Sequence, residues 1–352
     1  MKYVRCCLRQ FILMVFAVAV AWSAWAEETP RQLVIGYQMV PNAELIAKEL
    51  GWQEKELGLP IQWEAYKSGR HVVEAIAAGQ VDIGLVGTSP CAAGIARGVP
   101  LEIVWIHDII GDNEALVVRA DSGIRRIGEL AGKKVAVPFG STTHYHLMVA
   151  LKLNNLAAQD VSIVNLEPGD MPAAWKKNGI DAAFVWEPTL SDLHKDRGNV
   201  ILTSRQLAER GFPTADLCVV REAFATRYPS LVVTYLRNLD RAVRLYRNDP
   251  DQAARAVAAQ LGISAASASA QMAGLIMLTG EEQLSGKFVG DMQLTFGLYT
   301  LLKETADFLM QAQAIESSPP WPVFMRSVSA TYAQKTIARK KATIAGPRPA
   351  GD

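Results

Sequence analysis

The sequence predicts an α/β protein of two similar lobes, each a mostly parallel sheet flanked by helices. Strand-like and helix-like runs alternate from Leu33 to about Val220, an order that feeds parallel strands through crossover helices. A helix–Gly–strand–Pro unit occurs twice, at Val73–Pro90 and again at Ala173–Pro188. Gly fits just past a helix end and Pro fits a first helical turn, so both copies mark the same kind of junction. After Val220 the pattern turns helical with no sizeable strand, so this part must pack on lobes already built.

The elements follow in order. Lys2, Arg5 and Arg9 precede an apolar run, Phe11–Ala21, and Ala24-Trp25-Ala26 supplies a small-x-small cleavage pattern. Residues 1–26 therefore read as an export signal, with the mature chain starting at Glu27. The apolar run is short for a spanning helix, and no later segment reaches that length. Leu33–Tyr37 is a strand, Ala43–Leu50 a helix stopped by Gly51, Ile61–Tyr66 a strand, and His71–Ala78 a helix stopped by Gly79. Val81–Val86 is the next strand and Cys91–Arg97 the next helix. Later, a β-type run ends at Gly140 and a helix follows from His144 to about Asn154. Beyond Val220, helices are expected at Glu222–Arg227, Ser230–Arg247, Pro250–Leu261, Ala265–Leu278 and Gln293–Ala314. Residues 27–116 with 215–334 make one lobe, and 117–214 the other. The basic tail, 335–352, is rich in Lys, Arg, Ala, Gly and Pro and is expected to be disordered.

Composition narrows the function. The 352 residues are 50% hydrophobic and 20% charged, as in a packed globular chain. The formal net charge is +1, and losing the three positive charges of the signal leaves the mature chain slightly negative. That excludes nucleic acid and anionic membranes as favoured partners. Cys6 and Cys7 leave with the signal and lie before its apolar run, which argues against a lipid anchor. Cys91 and Cys218 remain in an oxidising compartment. They read as two separate buried thiols, with a pairing left open.

The most informative stretch is Val135–Tyr145, where Ser141, Thr142 and Thr143 follow Gly140 and open a helix. A helix start offers unpaired N–H groups and the positive end of the dipole, and hydroxyls add donors without charge. One hydroxyl suffices for a cap; three in a row favour a bound anion. Gly87-Thr88-Ser89-Pro90 is a second hydroxyl-rich turn of the same style. Ligands of open α/β sheets sit at the carboxyl ends of strands, so two such turns, one per lobe, suit an anion held from both sides. Asp112-Asn113-Glu114 precedes one strand that should cross between lobes, and Asp216 heads another. A carboxylate there suits a ligand that also carries an ammonium group, and Trp186 could wall the pocket.

Catalytic and metal motifs are absent from the sequence. His144 and His146 are two apart and face different sides of a helix, while His71, His107 and His194 read as surface or satisfied singles. There is no phosphate loop, dinucleotide fingerprint or nucleophile elbow. Ser141 and His144 are helical neighbours without nucleophile–base geometry, so the chain reads as a binder needing no metal or cofactor.

At these residues the chain resembles the periplasmic taurine-binding proteins of ABC importers, within the aliphatic sulfonate/nitrate-type substrate-binding family. The most specific matches are Ala136-Val137-Pro138-Phe139 with Ser141-Thr142-Thr143-His144-Tyr145, and Asn113-Glu114-Ala115-Leu116-Val117-Val118. Pro213-Thr214 with Asp216, and Val185-Trp186 with Pro188, match as well. The resemblance runs from about Leu33 to the final long helix and implies a type II two-lobe binding protein. It implies a periplasmic monomer that captures taurine by lobe closure and delivers it to an inner-membrane permease, with no cofactor or metal. The sulfonate would be bound by Ser141, Thr142, Thr143 and the turn Gly87, Thr88, Ser89. Glu114 and Asp216 would hold the ammonium, with His144 in the same run and Tyr145 and Trp186 covering the two-carbon link. Alkanesulfonate and other small-oxyanion binders share the fold and remain an alternative. Pyrimidine-precursor synthases share it too, but their cysteine-rich iron motif is not found here. Ser68-Gly69-Arg70-His71, Val40-Pro41-Asn42, Cys91 and the basic tail depart from the pattern expected of the taurine proteins.

Overall fold

The computed structural model describes residues 29–284 and 297–344. The proposed export signal, 1–26, lies outside the described residues. Among the described residues, eleven strands form two sheets. The first holds β1 (Leu33–Tyr37), β2 (Ile61–Ala65), β3 (Ile83–Gly87) and β4 (Leu101–Ile110). The second holds β5 (Glu114–Arg119), β6 (Lys134–Val137), β7 (Ser162–Asn165), β8 (Ala182–Trp186) and β9 (Gly198–Thr203). β10 (Ala215–Arg221) and the short β11 (Leu275–Ile276) return to the first sheet.

The strand orders are β11-β4-β10-β3-β1-β2 and β7-β6-β8-β5-β9. With β11 set aside, the two orders coincide when β2, β1, β3, β10 and β4 are matched to β7, β6, β8, β5 and β9. The repeated Gly–strand–Pro unit falls on β3 in one lobe and β8 in the other, the same place in each sheet. The two-lobe reading thus holds, with one correction: the sheets are mixed. β1, β2 and β3 pair in parallel, as do β6, β7 and β8, but β10 and β5 run antiparallel to both neighbours. Those two strands arrive from the opposite lobe without a crossover helix covering the same sheet, and such a helix is what enforces parallel order.

The crossing points differ slightly from expectation. β5 already belongs to the second sheet at Glu114, so the first crossing lies at 111–113. Each sheet carries apolar clusters on both faces. In the first lobe, one face packs on helices Gly69–Ala77, Thr88–Ala96 and Leu298–Gln311. The other face packs on helix Pro229–Asn248 through Val232, Val233, Tyr235 and Leu236. The late helices therefore do pack on lobes already built. Trp186, from the second lobe, joins a cluster with Val40, Ala43 and Leu45 of the first. The lobes are closed upon each other at this contact.

The tail needs a second correction. Residues Thr331–Ile344 form a helix rather than a disordered run. Ala, Lys and Arg are strong helix formers, and Tyr332, Ala333 and Thr336 are buried, the first two beside Tyr235 and Leu236. Residues 345–352 lie outside those described. Cys91 and Cys218 are both buried free thiols.

Candidate functional site

A small cleft opens between the lobes at the carboxyl ends of β1 and β3, with about 330 Å³ of empty space including its mouth. It is lined by Gln38, Val40, Gly69, Gly87 and Pro90 of the first lobe with Asp216. From the other side come Asn113, Glu114, Ser141, Thr142 and Trp186. Gly87, Glu114, Ser141, Thr142, Trp186 and Asp216 were expected at a site, and the fold brings these six together.

One end is made of helix starts. Gly69 opens the helix Gly69–Ala77, Gly87 caps Thr88–Ala96, and Ser141 caps Thr142–Leu153. The approach is tight: a Cβ on Gly69 would sit 3.0 Å from Pro90 Cγ and 3.3 Å from Gly87 N. A Cβ on Gly87 would sit 2.8 Å from Thr142 Cγ2, across the gap between the lobes. Three helix N-termini thus converge, each with first-turn N–H groups that no intrahelical carbonyl can satisfy. Their dipoles add a positive potential that no change of pH removes.

The side chains there serve differently from the expectation. Ser141 Oγ accepts from His144 N at 3.1 Å and donates to Pro138 O at 2.6 Å, as a cap does. Thr143 is fully buried with Oγ1 2.8 Å from Ser141 Oγ. Thr142 Oγ1 donates to Glu114 Oε1 at 2.6 Å. The donors left at this helix start are therefore backbone N–H groups rather than three hydroxyls. Thr88 and Ser89 lie within their helix rather than in a turn before it; both are fully buried, and neither hydroxyl has a partner. His144 and Tyr145 fall outside the lining. The His144 ring stacks on Phe139 at 4.8 Å and its Nδ1 accepts from Gly140 N, while Tyr145 meets Phe308 edge-on at 4.9 Å. Helical rotation carries these positions away from the cleft that residues 141 and 142 face.

The other end is acidic. Glu114 leads β5 and Asp216 lies near the start of β10, so one cleft acid comes from each lobe. Burial pushes the Glu114 carboxyl up to about 8, Asp216 adds to the rise, and the Thr142 hydroxyl opposes it. Burial likewise pushes Asp216 up to about 7, while the influence of the neighbouring Asp108 opposes the rise. Behind them stands Glu44, fully buried, bonded to the Tyr235 hydroxyl and pushed up to about 7 chiefly by burial. Ser204 Oγ lies 3.3 Å from Glu114 Oε2 and 2.7 Å from His146 Nδ1. Arg70 stays out of the lining, paired with Glu74 at 3.0 Å and with Glu167 of the other lobe at 3.7 Å.

Several residues escaped the sequence reading. Gln38 follows β1 and donates Nε2 to Leu85 O at 3.0 Å; the strand-end rule would have found it. Asp108 stands mid-strand in an apolar run, where an acid is itself a signal. His107 is neither exposed nor satisfied: it is buried, both ring nitrogens lack a partner, and burial pushes it down to about 3. Among the described residues no group of His, Cys, Asp and Glu could hold a metal, and no helix is long and apolar enough to cross a membrane. Burial raises both thiols, and neither lines the cleft.

Two lobes of matching topology closed over a polar cleft define a two-lobe solute-binding protein. Residues 26–264 match the NMT1-like family, and the chain belongs to it. It is 38% identical to the taurine-binding periplasmic protein of Escherichia coli K12 over 62% of this chain and 68% of that one. A putative aliphatic sulfonates-binding protein of Bacillus subtilis 168 is 33% identical over 64% of this chain and 68% of its own. Among solved structures, the alkanesulfonate-binding protein SsuA of Xanthomonas axonopodis pv. citri, bound to MOPS, superposes with a TM-score of 0.68. That match has 23% identity and covers 86% of this chain and 98% of the other, a likeness of fold. These relatives are named as binding proteins and not as enzymes.

Proposed function

We propose that this chain is the periplasmic substrate-binding component of an ABC importer, and that it captures taurine, 2-aminoethanesulfonate. The observation that carries the reading is the polarity of the cleft, with converging helix starts at one end and buried acids at the other. Taurine has the matching dipole. Its sulfonate, an acceptor at every oxygen, suits the N–H groups at Gly69, Gly87 and Thr142 and the free Thr88 and Ser89 hydroxyls nearby. Its ammonium suits Glu114 and Asp216, and the Trp186 face covers the short link between. The 38% identity to a taurine-binding relative supports the same choice. Export under the segment 1–26, a monomeric state and delivery to a membrane permease complete the reading.

Calorimetry with taurine, ethanesulfonate, sulfate and nitrate tests it. Taurine should bind tightest, and ethanesulfonate, which keeps the anion but lacks the ammonium, should bind at least about tenfold more weakly. Ethanesulfonate binding as tightly as taurine would convert the reading to a plain alkanesulfonate binder. Sulfate matching taurine would remove the zwitterion assignment altogether.

A further inference from the structure

We propose that Asp108, which does not reach the cleft, keeps Asp216 ionised for the ligand by holding a proton in a hydrogen bond to it. The inference rests on the aminosulfonate reading and adds a positioning residue behind the site.

The geometry is that of two buried carboxyls opposed across a pair of strands. Asp108 on β4 stands directly opposite Asp216 on β10 in the antiparallel register. It is fully buried, and Asn42 Nδ2 donates to its Oδ2 at 3.2 Å. Its Oδ1 is also buried, and no protein donor faces it. Directly opposed side chains of an antiparallel pair lie on one face of the sheet, so the two carboxyls are neighbours across the ladder, where they cannot both ionise cheaply. Ionised carboxylates only accept, so a bond between two of them requires that one carry the proton. Charge settles on the member better placed for water or a ligand. That member is Asp216, which lines the cleft at 7% exposure, against 0% for Asp108.

The surroundings favour the same division. Burial holds the Asp108 carboxyl well above the usual range, and the negative fields of Asp216 and Glu114 push it further. A hydrogen bond donated by a protonated Asp108 acts on Asp216 in the opposite sense, favouring its ionised form. The groups acting on this pair are Glu44 from the helix after β1, Glu114 from β5, and the neutral amide of Asn42. Lys48 acts on Glu44, and His107, next to Asp108, stays neutral. A neutral acid in second place has a clear use. It donates as a hydroxyl would, yet adds no second charge behind a site meant for one ammonium.

Two substitutions separate the proton from the charge. Asp108→Asn keeps an N–H donor and the neutral state, so taurine affinity should stay within about threefold of wild type from pH 6 to 8. Asp108→Leu keeps the bulk and removes the donor, so Asp216 takes up a proton itself. Taurine affinity at pH 7 should then fall at least about tenfold and recover toward pH 8, with ethanesulfonate affinity unchanged. Wild-type taurine binding by Asp108→Leu would overturn the proposal, as would a loss that is equal at pH 6 and pH 8. A marked loss in Asp108→Asn, the variant least apt to misfold, would overturn it alone by showing that Asp108 acts through a charge. Failure of the aminosulfonate reading would look different: wild type itself would not prefer taurine to ethanesulfonate.

Discussion

The two ends of the cleft are made of different material. At one end, backbone at three helix starts presents N–H groups whose positions follow from where the helices begin. At the other, carboxyls sit on the two strands that follow the crossings between the lobes. On the proposed reading, the first end, which cannot titrate, would take any small anion, and the second, whose carboxyls burial pushes up toward neutrality, would answer only to a cation. On that reading, affinity for oxyanions as a class would reside in the backbone, and choice among them in two side chains.

The sharpest break of this comparison is the pair Glu114→Gln with Asp216→Asn. Taurine binding should fall by about a hundredfold or more while ethanesulfonate binding survives, as calorimetry would register. Equal loss of both ligands would show the two ends to be inseparable. Next in size is Gly87→Ala. The added Cβ would meet Thr142 Cγ2 at 2.8 Å, so closure should be hindered and every ligand weakened alike, by about tenfold. A loss confined to taurine would place the steric effect elsewhere.

The pH response comes third. Glu114, Asp216 and Glu44 have folded values near 7 to 8, above their ordinary 3.8 to 4.5. The folded state thus binds more protons than the unfolded chain, and their contribution to stability is lost as pH rises toward 8. His107, His144 and His146 are shifted down from 6.5 and oppose this trend only below that value. Ligand-free protein should therefore melt at a lower temperature at pH 8 than at pH 6.5, and saturating taurine should flatten the difference. A flat ligand-free profile would mean that these acids are not buried in solution. The smallest effect on binding is expected from Ser141→Ala. It removes a cap worth about 1 kcal/mol of stability, but it should leave taurine affinity within about twofold, because that hydroxyl already serves Pro138 and His144. A large loss of affinity would restore Ser141 as a ligand donor.

The same contrast explains what could be read from the chain alone. Alternation of strands and helices carried the lobes, because burial on both sheet faces writes itself into long apolar runs. Glu114 and Asp216 were legible because an acid at a strand end interrupts such a run. The roles of Ser141, Thr142 and Thr143 were not, since a hydroxyl that caps, one that serves a carboxylate and one that binds a ligand are the same letter. Asp108 was passed over because its partner lies more than a hundred positions away and only the β4–β10 register joins them. Antiparallel insertion of β5 and β10 was equally silent, for an apolar strand reads alike in both directions.

Glu114 and Asp216 belong to different lobes, and each raises the cost of ionising the other. Were the lobes to shut without a cation, the two acids would either repel or take up protons. On the proposed reading the empty molecule would favour an open form, and a ligand with an ammonium would act as the clasp that makes shutting downhill. Occupancy and shape would then be tied together by the same two side chains, so that a partner that inspects only shape would still be told what the cleft contains.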